Sequence, residues 1–558
     1  MNRPTRLWSI VAILSLFLGG SVYAANLPQE EMALIYVPVP AGATNSWQPA
    51  GVEVYARLNG RTTSYLLAGA TTQTQAALAQ SDISYQQLDD TVNGRTYYLA
   101  APRNNQSLDA KTYGRILHDD GYQILLRTTP QQAAQLAETG AEIAKLNLTL
   151  LQAPTAVEVI PSDIDADPIV QSMIDQVSET AVYQYDGSLS GEWPIIISGQ
   201  EYTLQTRHTY SGVPIQKATE YVGQHLASLG LNVEYHQWNG STYPNVIAEL
   251  PGQTNPEQIF IICAHLDDMP SGSTAPGADD NASGSSGVLI AADILSQYQW
   301  DVTLRFALWT GEEQGLLGSN AYATLAQSNG TQIIGVLNMD MIAYNSDRNV
   351  ALDLHAKSTL PDSVNLAYLF DDVVSEYALP LEPEVFIDSW IGNYSDNASF
   401  WNHGFSAILA IEDDDDFTPH YHTTGDQLST LNLGYFTAMV RASLATFAHL
   451  GGLPWHGWVQ GEVTAVTDNT PLANATITFD YPTNSTTTIT ADANGIYTAT
   501  LPTGSYTLTV TAPNHLPETI TGVQVFHDLT TTQNIALTPE EQMYFYYLPL
   551  TWNQTGGK

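Results

Sequence analysis

A chain of 558 residues with 44% hydrophobic content has room for roughly two to four domains and excludes wholesale disorder. Its formal charge of −40 repels nucleic acid and anionic membrane, so neither is expected as a partner. The single cysteine, Cys263, excludes an internal disulfide, and its place in Ile259-Phe-Ile-Ile-Cys-Ala264 predicts a buried strand residue rather than a nucleophile.

In chain order, Arg3 and Arg6 precede an apolar run from Leu7 to Leu18 and then Val22-Tyr23-Ala24. These are the parts of a secretory signal peptide, predicted over 1–24 with cleavage after Ala24 or, one residue on, Ala25. The run falls short of the roughly 20 residues a membrane helix needs, and no other stretch is long enough. A secreted or cell-envelope protein without a transmembrane helix is expected.

Residues 25–152 read as a small α+β module. Within it Thr71-Thr-Gln-Thr-Gln-Ala-Ala-Leu78 resembles Thr128-Thr-Pro-Gln-Gln-Ala-Ala-Gln135, and each copy follows a strand-like run. A duplicated β–β–α–β unit is predicted, with chance similarity of common residues as the alternative. Residues 153–168, with Pro154, Pro161, Pro168 and alternating acids, read as a linker.

From 169 to 454 strand-like runs alternate with helical patterns, which predicts an α/β domain. One helix is expected from Ile215 to Leu229, ending at Gly230, and a strand from Asn245 to Pro251. Three apolar runs, Ile259–Ala264, Phe306–Trp309 and Ile333–Leu337, suit strands covered on both faces. In such sheets ligands bind beyond the carboxyl ends of the strands.

Residues 455–538 turn Thr-rich and alternating, with turn signals at Asn469, Asn494-Gly495 and Gly504, which predicts a β-sandwich. The stretch Asp492-Ala-Asn-Gly-Ile-Tyr497…Leu501-Pro-Thr-Gly-Ser-Tyr506 resembles the carboxypeptidase-regulatory-like, prealbumin-type sandwich. Its role is either binding, for instance of a cell-surface ligand, or stability alone. In the tail, 539–558, Met543-Tyr-Phe-Tyr-Tyr-Leu-Pro-Leu550 reads as an edge strand or as a sorting element.

Chemistry concentrates just after the apolar runs. His265-Leu-Asp267 is followed by Gly277-Ala-Asp-Asp-Asn-Ala-Ser-Gly284, by Glu312-Glu313, by Asp340 in Asn338-Met-Asp-Met341, and by His422 in His420-Tyr-His-Thr-Thr-Gly-Asp426. Alone, His265 or Asp340 is an ordinary polar residue at a strand end. Glu312-Glu313 alone is the acidic start of a helix, and His420 competes with His422. In order and at successive strand ends they point to a two-metal hydrolase. Its minimal donor set is one shared and four unshared ligands, which His265, Asp280, Glu313, Asp340 and His422 supply. Glu312 is then left as general base for a metal-bridging water. Asp267 is a candidate carboxylate for fixing the His265 tautomer.

This order and spacing resemble the co-catalytic two-zinc aminopeptidases of the secreted bacterial leucyl-aminopeptidase type, related to glutamate carboxypeptidases and glutaminyl cyclases, over roughly 200–452. The resemblance implies a mixed, mostly parallel sheet with helices on both faces. It implies two Zn2+ per chain, one held by His265, Asp280 and Asp340 and the other by Asp280, Glu313 and His422, with Glu312 as base. It further implies peptide or protein substrates with a free N-terminus. Ahead of a peptidase, the N-terminal module reads as propeptide-like or chaperoning, or as an accessory domain.

The chain departs from the family in lacking its disulfide and in carrying Ser395-Asp396-Asn397 where the family has Ser-Asp-His. Tyr394, Asp396 and Glu412 are the expected substrate-pocket residues, Tyr394 as an oxyanion donor. The run Glu412-Asp-Asp-Asp-Asp416 reads as a solvated loop, as a pocket rim attracting the substrate ammonium, or as a calcium site. Carboxypeptidase action would need a basic group for a terminal carboxylate, and Arg305, Arg348 and Lys357 are among the few between 250 and 450. A glutaminyl cyclase normally works with one zinc. A non-catalytic surface binding protein is the remaining alternative.

Overall fold

A computed structural model describes residues 31–540 apart from 41–42, 44–46, 61–63, 104–107, 152–159, 162–163, 240–242, 348, 453 and 481–485. The expected signal segment, part of the expected linker, Arg348 and the Met543–Leu550 run lie outside the described residues.

The first elements are β1 (Ala33–Pro38), β2 (Glu53–Asn59), β3 (Ser64–Ala70), α1 (Thr72–Gln80) and β4 (Gln86–Asp89). They are followed by β5 (Tyr97–Pro102), β6 (Arg115–Asp119), β7 (Ile124–Arg127), α2 (Pro130–Ala137) and β8 (Ala141–Lys145). The two sheets have matching orders, β2-β3-β1-β4 and β6-β7-β5-β8. Each unit is β–β–β–α–β, one strand more than expected, because its first strand lies before a long irregular connection. The repeated Thr-Thr pairs mark helix starts: Thr71 Oγ1 accepts from the backbone N–H of Thr74, and Thr129 Oγ1 from that of Gln132.

The next elements are α3 (Pro168–Gln176), α4 (Glu179–Leu189), β9 (Ile195–Ile197), β10 (Gln200–Tyr202), α5 (Val213–Ser228), β11 (Asn232–His236), β12 (Asn245–Leu250), β13 (Asn255–His265), α6 (Gly284–Leu295) and β14 (Val302–Trp309). Pro168, expected in the linker, opens α3 behind an Asp167 cap. Gly230 follows α5 with φ +82°, the left-handed geometry that stops a helix. The chain continues through α7 (Leu317–Asn329), β15 (Gln332–Met339), β16 (Ala351–Ala356), α8 (Pro361–Glu376), β17 (Glu382–Ile387), α9 (Asn397–Asn402), β18 (Ala407–Glu412) and α10 (Leu433–Leu450).

Eight strands form one sheet in the order β11-β12-β14-β13-β15-β18-β16-β17. The central run β14-β13-β15-β18 is parallel throughout. Period-two alternation divides its side chains between two cores. Phe260, Ile262, Ala264 and Phe306 join the cluster built with α3, α5, α6, α8 and α10. Ile259, Ile261, Cys263 and Trp309 join a second cluster with Tyr322 of α7 and Phe400 of α9. That second cluster also contains Leu34, Tyr55, Leu67, Tyr97, Leu99 and Ala144 of the N-terminal units, so the module completes one cover of the sheet. Burying each large apolar side chain contributes about 1.5–3 kcal/mol.

The C-terminal strands are β19 (His456–Ala465), β20 (Thr476–Asp480), β21 (Thr486–Thr490), β22 (Ile496–Pro502), β23 (Gly504–Thr511), β24 (Glu518–Val525), β25 (Thr530–Thr532) and β26 (Ile535–Leu537). They form two sheets, β22-β19-β25 with β26 also on β19, and β21-β20-β23-β24, around Val459, Phe479, Tyr497 and Leu508. Trp455 joins this sandwich to the α/β domain. Its indole donates to Asp301 Oδ1 at 3.0 Å, its backbone N–H to Gln299 at 2.8 Å, and its ring stacks on His527 at 4.5 Å. No helix among the described residues is long and apolar enough to cross a membrane.

Candidate metal centre

His265 is the last residue of β13, and Asp340 follows β15 directly. Glu312 and Glu313 lie in the turn between β14 and α7, Asp280 in the irregular segment before α6, and His422 between β18 and α10. The carboxyl ends of the parallel strands therefore bring together all five expected donors and Glu312. Met341 and His422 have φ of +52° and +55°, left-handed geometry that is uncommon for residues with a side chain and recurs at functional sites.

Asp280 stands between the two histidines. Its Oδ1 is 3.2 Å from His265 Nε2 and its Oδ2 is 3.3 Å from His422 Nε2. Asp340 Oδ1 lies 3.1 Å from His265 Nε2, and Glu313 Oε2 lies 2.8 Å from His422 Nε2. Two donor groups follow, His265 with Asp280 and Asp340, and Asp280 with Glu313 and His422; a third combines His265, Glu312 and Glu313.

Neighbouring groups orient these side chains. Ser395 Oγ donates to Asp340 Oδ2 at 2.6 Å and itself accepts from Asn338 Nδ2 at 2.7 Å. Asp426 receives the backbone N–H groups of Asp279 and Asp280. Arg207, fully buried, lies 3.4 Å from Asp268 and donates to the carbonyls of Leu266, Pro276 and Gly277, tying the His265 strand to the Asp280 segment. Arg207 was not singled out in the sequence, where no motif surrounds it.

Asp267 acts differently from the expectation. His265 Nδ1 lies 3.0 Å from the backbone carbonyl of Asp267, whereas its carboxylate is 3.9 Å away. That carboxylate instead accepts from Thr209 Oγ1 and from the backbone N–H groups of Glu312 and Glu313. It braces the Glu312 turn, and the carbonyl fixes the imidazole.

The expected substrate residues separate. Tyr394 lines the metal pocket, but its hydroxyl donates to Gln123 Oε1 at 3.3 Å. Asp396 is fully buried and is not among the lining residues. Glu412 ends β18, is 1% exposed, and accepts from the backbone of Thr418 while hydrogen bonding with Asp279. It lies inside the protein because β18 runs one residue further than the apolar pattern suggests. Of the acidic run, Asp414 pairs with Arg103 and Asp416 accepts from Ser346.

The donor set fits divalent cations. The pocket lining includes Glu142, Asp280, Glu312, Glu313 and Asp340, five carboxylates against Arg103 and His265. Buried carboxylates in this number repel one another unless positive charge is brought among them. Glu313 Oε1 is buried without a hydrogen-bond partner. Burial pushes Glu313 up to about 8, with Asp280 adding to the rise and His422 opposing it. Burial likewise drives Glu312 well above the usual range, with Glu313, Asp396 and Asp340 adding and His265 opposing. Burial would also raise Asp280, yet His265 and His422 hold it below its ordinary value.

Residues 245–447 match Peptidase family M28, and residues 459–538 match the Carboxypeptidase regulatory-like domain. The chain thus carries a peptidase family M28 domain followed by a carboxypeptidase regulatory-like domain. It is 32% identical over 254 residues to leucine aminopeptidase 1 of Arthroderma gypseum, covering 42% of this chain and 63% of that protein. It is 31% identical over 220 residues to a probable leucine aminopeptidase of Trichophyton verrucosum, covering 37% of this chain and 57% of that protein. The chain therefore spans less than two thirds of the length of these relatives. The crystal structure of LapB from Legionella pneumophila is similar in fold, with a TM-score of 0.50, 18% identity and coverage of 64% of this chain and 99% of that one.

Proposed function

We propose that this protein is a secreted, zinc-dependent aminopeptidase acting on peptides with a free N-terminus, apolar N-terminal residues first. The observation that carries the reading is Asp280, whose two oxygens face two different histidines while Glu312 stands beside them unpaired to either. In this reading His265, Asp280 and Asp340 hold one zinc, and Asp280, Glu313 and His422 hold the other. Bound zinc supplies Lewis acidity, which sharpens water as a nucleophile and polarises a carbonyl. Glu312 takes the proton from the attacking water at its carboxylate and returns it to the leaving amine.

The leucine aminopeptidase relatives support the exopeptidase class. A carboxypeptidase is the second reading, because Arg103 of the N-terminal module does line the pocket. Its guanidinium already faces Glu142 and Asp414, each at 2.7 Å, which leaves little positive charge for a substrate carboxylate.

The deciding experiment offers a Leu-initiated peptide and its N-acetylated twin, each with and without a zinc chelator. Cleavage of the free peptide alone, lost with chelator and restored by zinc, is expected. Removal of C-terminal residues from both would replace this reading with the carboxypeptidase, and inertness towards both would favour a binding protein.

A further inference from the structure

Arg103, just beyond β5, and Glu142, on the neighbouring strand β8, belong to the N-terminal module yet line the pocket with His265, Asp280, Glu312, Glu313 and Asp340. Their side chains are 7% and 11% exposed and meet at 2.7 Å. The pocket they close has a free volume of about 20 Å³. A single water needs about 10–15 Å³ by the same measure, so an amino-acid side chain does not fit.

Arg103 is also a wall of two further cavities. One, of about 190 Å³, lies against Glu138, Thr139, Tyr421, His422 and Thr423, beside the expected metal donor. The other, of about 280 Å³, lies within the module between Pro102, Tyr113 and Ala141. Arg103 and Tyr421 are the two side chains that line both the water-sized metal pocket and the residue-sized cavity beside His422.

Arg103 is held from two sides, by the buried Glu142 of its own module and, at the surface, by the opposite domain. Asp414, 45% exposed, accepts from Nη1 at 2.7 Å, and the guanidinium lies 4.1 Å from the Phe417 ring centre. Of the two carboxylates, Asp414 is the one facing solvent, and its bond is the weaker hold. The module itself is not a detachable cover, since its apolar side chains share a core with β13 and β14. Opening must then come from the side chain rather than from departure of the module.

We propose that Arg103 is the specificity-determining gate of this site: swung away from Asp414, it joins the cavity beside His422 to the metal pocket and admits the substrate's N-terminal side chain. This rests on the aminopeptidase reading. A gate mostly closed lowers apparent affinity by the fraction of time it is open.

The test compares the zinc-loaded full chain with Asp414→Asn and with the double variant Arg103→Ala/Glu142→Gln, in which the buried partner carboxylate is neutralised and only the solvent-facing Asp414 loses its partner. Zinc loss to 1,10-phenanthroline is followed with a zinc-sensitive dye, and KM and kcat are measured on anilides of Ala, Leu and Phe. The expected result is zinc loss about tenfold faster in the double variant, with KM for Leu and Phe falling about tenfold and for Ala falling less. Asp414→Asn should shift both in the same direction, and it decides the matter if the double variant does not fold. Unchanged zinc release and unchanged KM ranking in a folded variant would overturn the gate. A rise in KM would overturn it too, making Arg103 a substrate ligand. Faster zinc release without aminopeptidase activity in any form would retain the gate and refute the proposed function instead.

Discussion

Asp426 Oδ2 accepts the backbone N–H of Asp280 at 3.0 Å, and its Oδ1 accepts that of Asp279 at 2.9 Å. The residue that ends the His422 segment therefore sets the backbone of the segment that carries the shared carboxylate. Two parts of the site distant in sequence are locked by one side chain. Asp426→Asn leaves one of these N–H groups facing an amide nitrogen or forces a rotated amide. Zinc affinity should fall about 10–100-fold, as for other changes just behind metal donors, with the fold retained. Competition titration against a zinc dye measures it, and an unchanged affinity would show that Asp426 does not position Asp280.

Glu312→Gln keeps shape and removes the base. The expected outcome is a fall in kcat of about 10²–10⁴-fold with zinc content unchanged. Glu313→Ala should instead lower the zinc content itself. If the two variants behaved alike by metal analysis, the division of roles within the pair would be wrong.

Metal-free protein should be more stable in acid than at alkaline pH. Burial pushes Glu313 and Asp426 up to about 8 and Asp268 and Asp396 up to about 7, whereas carboxyls of an unfolded chain titrate near pH 4. A raised carboxyl binds its proton more tightly in the folded state, so its contribution is full below pH 4 and lost as pH rises through 7–8. Zinc must displace the Glu313 proton, so its affinity weakens as pH falls below about 8. Thermal melts at pH 5.5 and 8.5 should show a higher Tm at 5.5 without zinc and a larger zinc-induced gain at 8.5. A metal-free Tm that climbs with pH would contradict both statements.

Deleting residues 26–152 should give an insoluble or unfolded chain rather than an activated enzyme. Ile259, Ile261 and Trp309 share their apolar cluster with Leu34, Tyr97 and Leu99, so removal bares one face of the sheet. Expression of the deleted chain, followed by solubility and circular dichroism, tests this. A soluble, active product would restore the propeptide-like role suggested by the order of the domains.

Legibility followed the range of the interactions. The strands β13, β14 and β15 were readable because a face-covered strand must be apolar along its length. The meeting of the candidate donors was readable because the ends of such strands are where polar side chains can converge. Arg103 and Glu142 were not, since nothing around them in sequence marks a site and only the packing of the module brings them to the candidate donors. Asp396 and Glu412 were misplaced for a related reason: a carboxylate in sequence looks solvated, and only the three-dimensional neighbours reveal one buried beneath the donors. The Asp267 role was lost at a finer level, where a backbone carbonyl took the bond that a side chain was expected to make.

The joint at Trp455 acts as a bracket rather than a tether. With its indole, its backbone and its ring face all engaged, the sandwich cannot sweep the volume that a flexible linker would open to it. Anything gripped by the sandwich would be offered to the metal pocket at one bearing and one distance. The gain in local concentration then falls only to chains whose ends reach that point, and geometry rather than affinity would select among them.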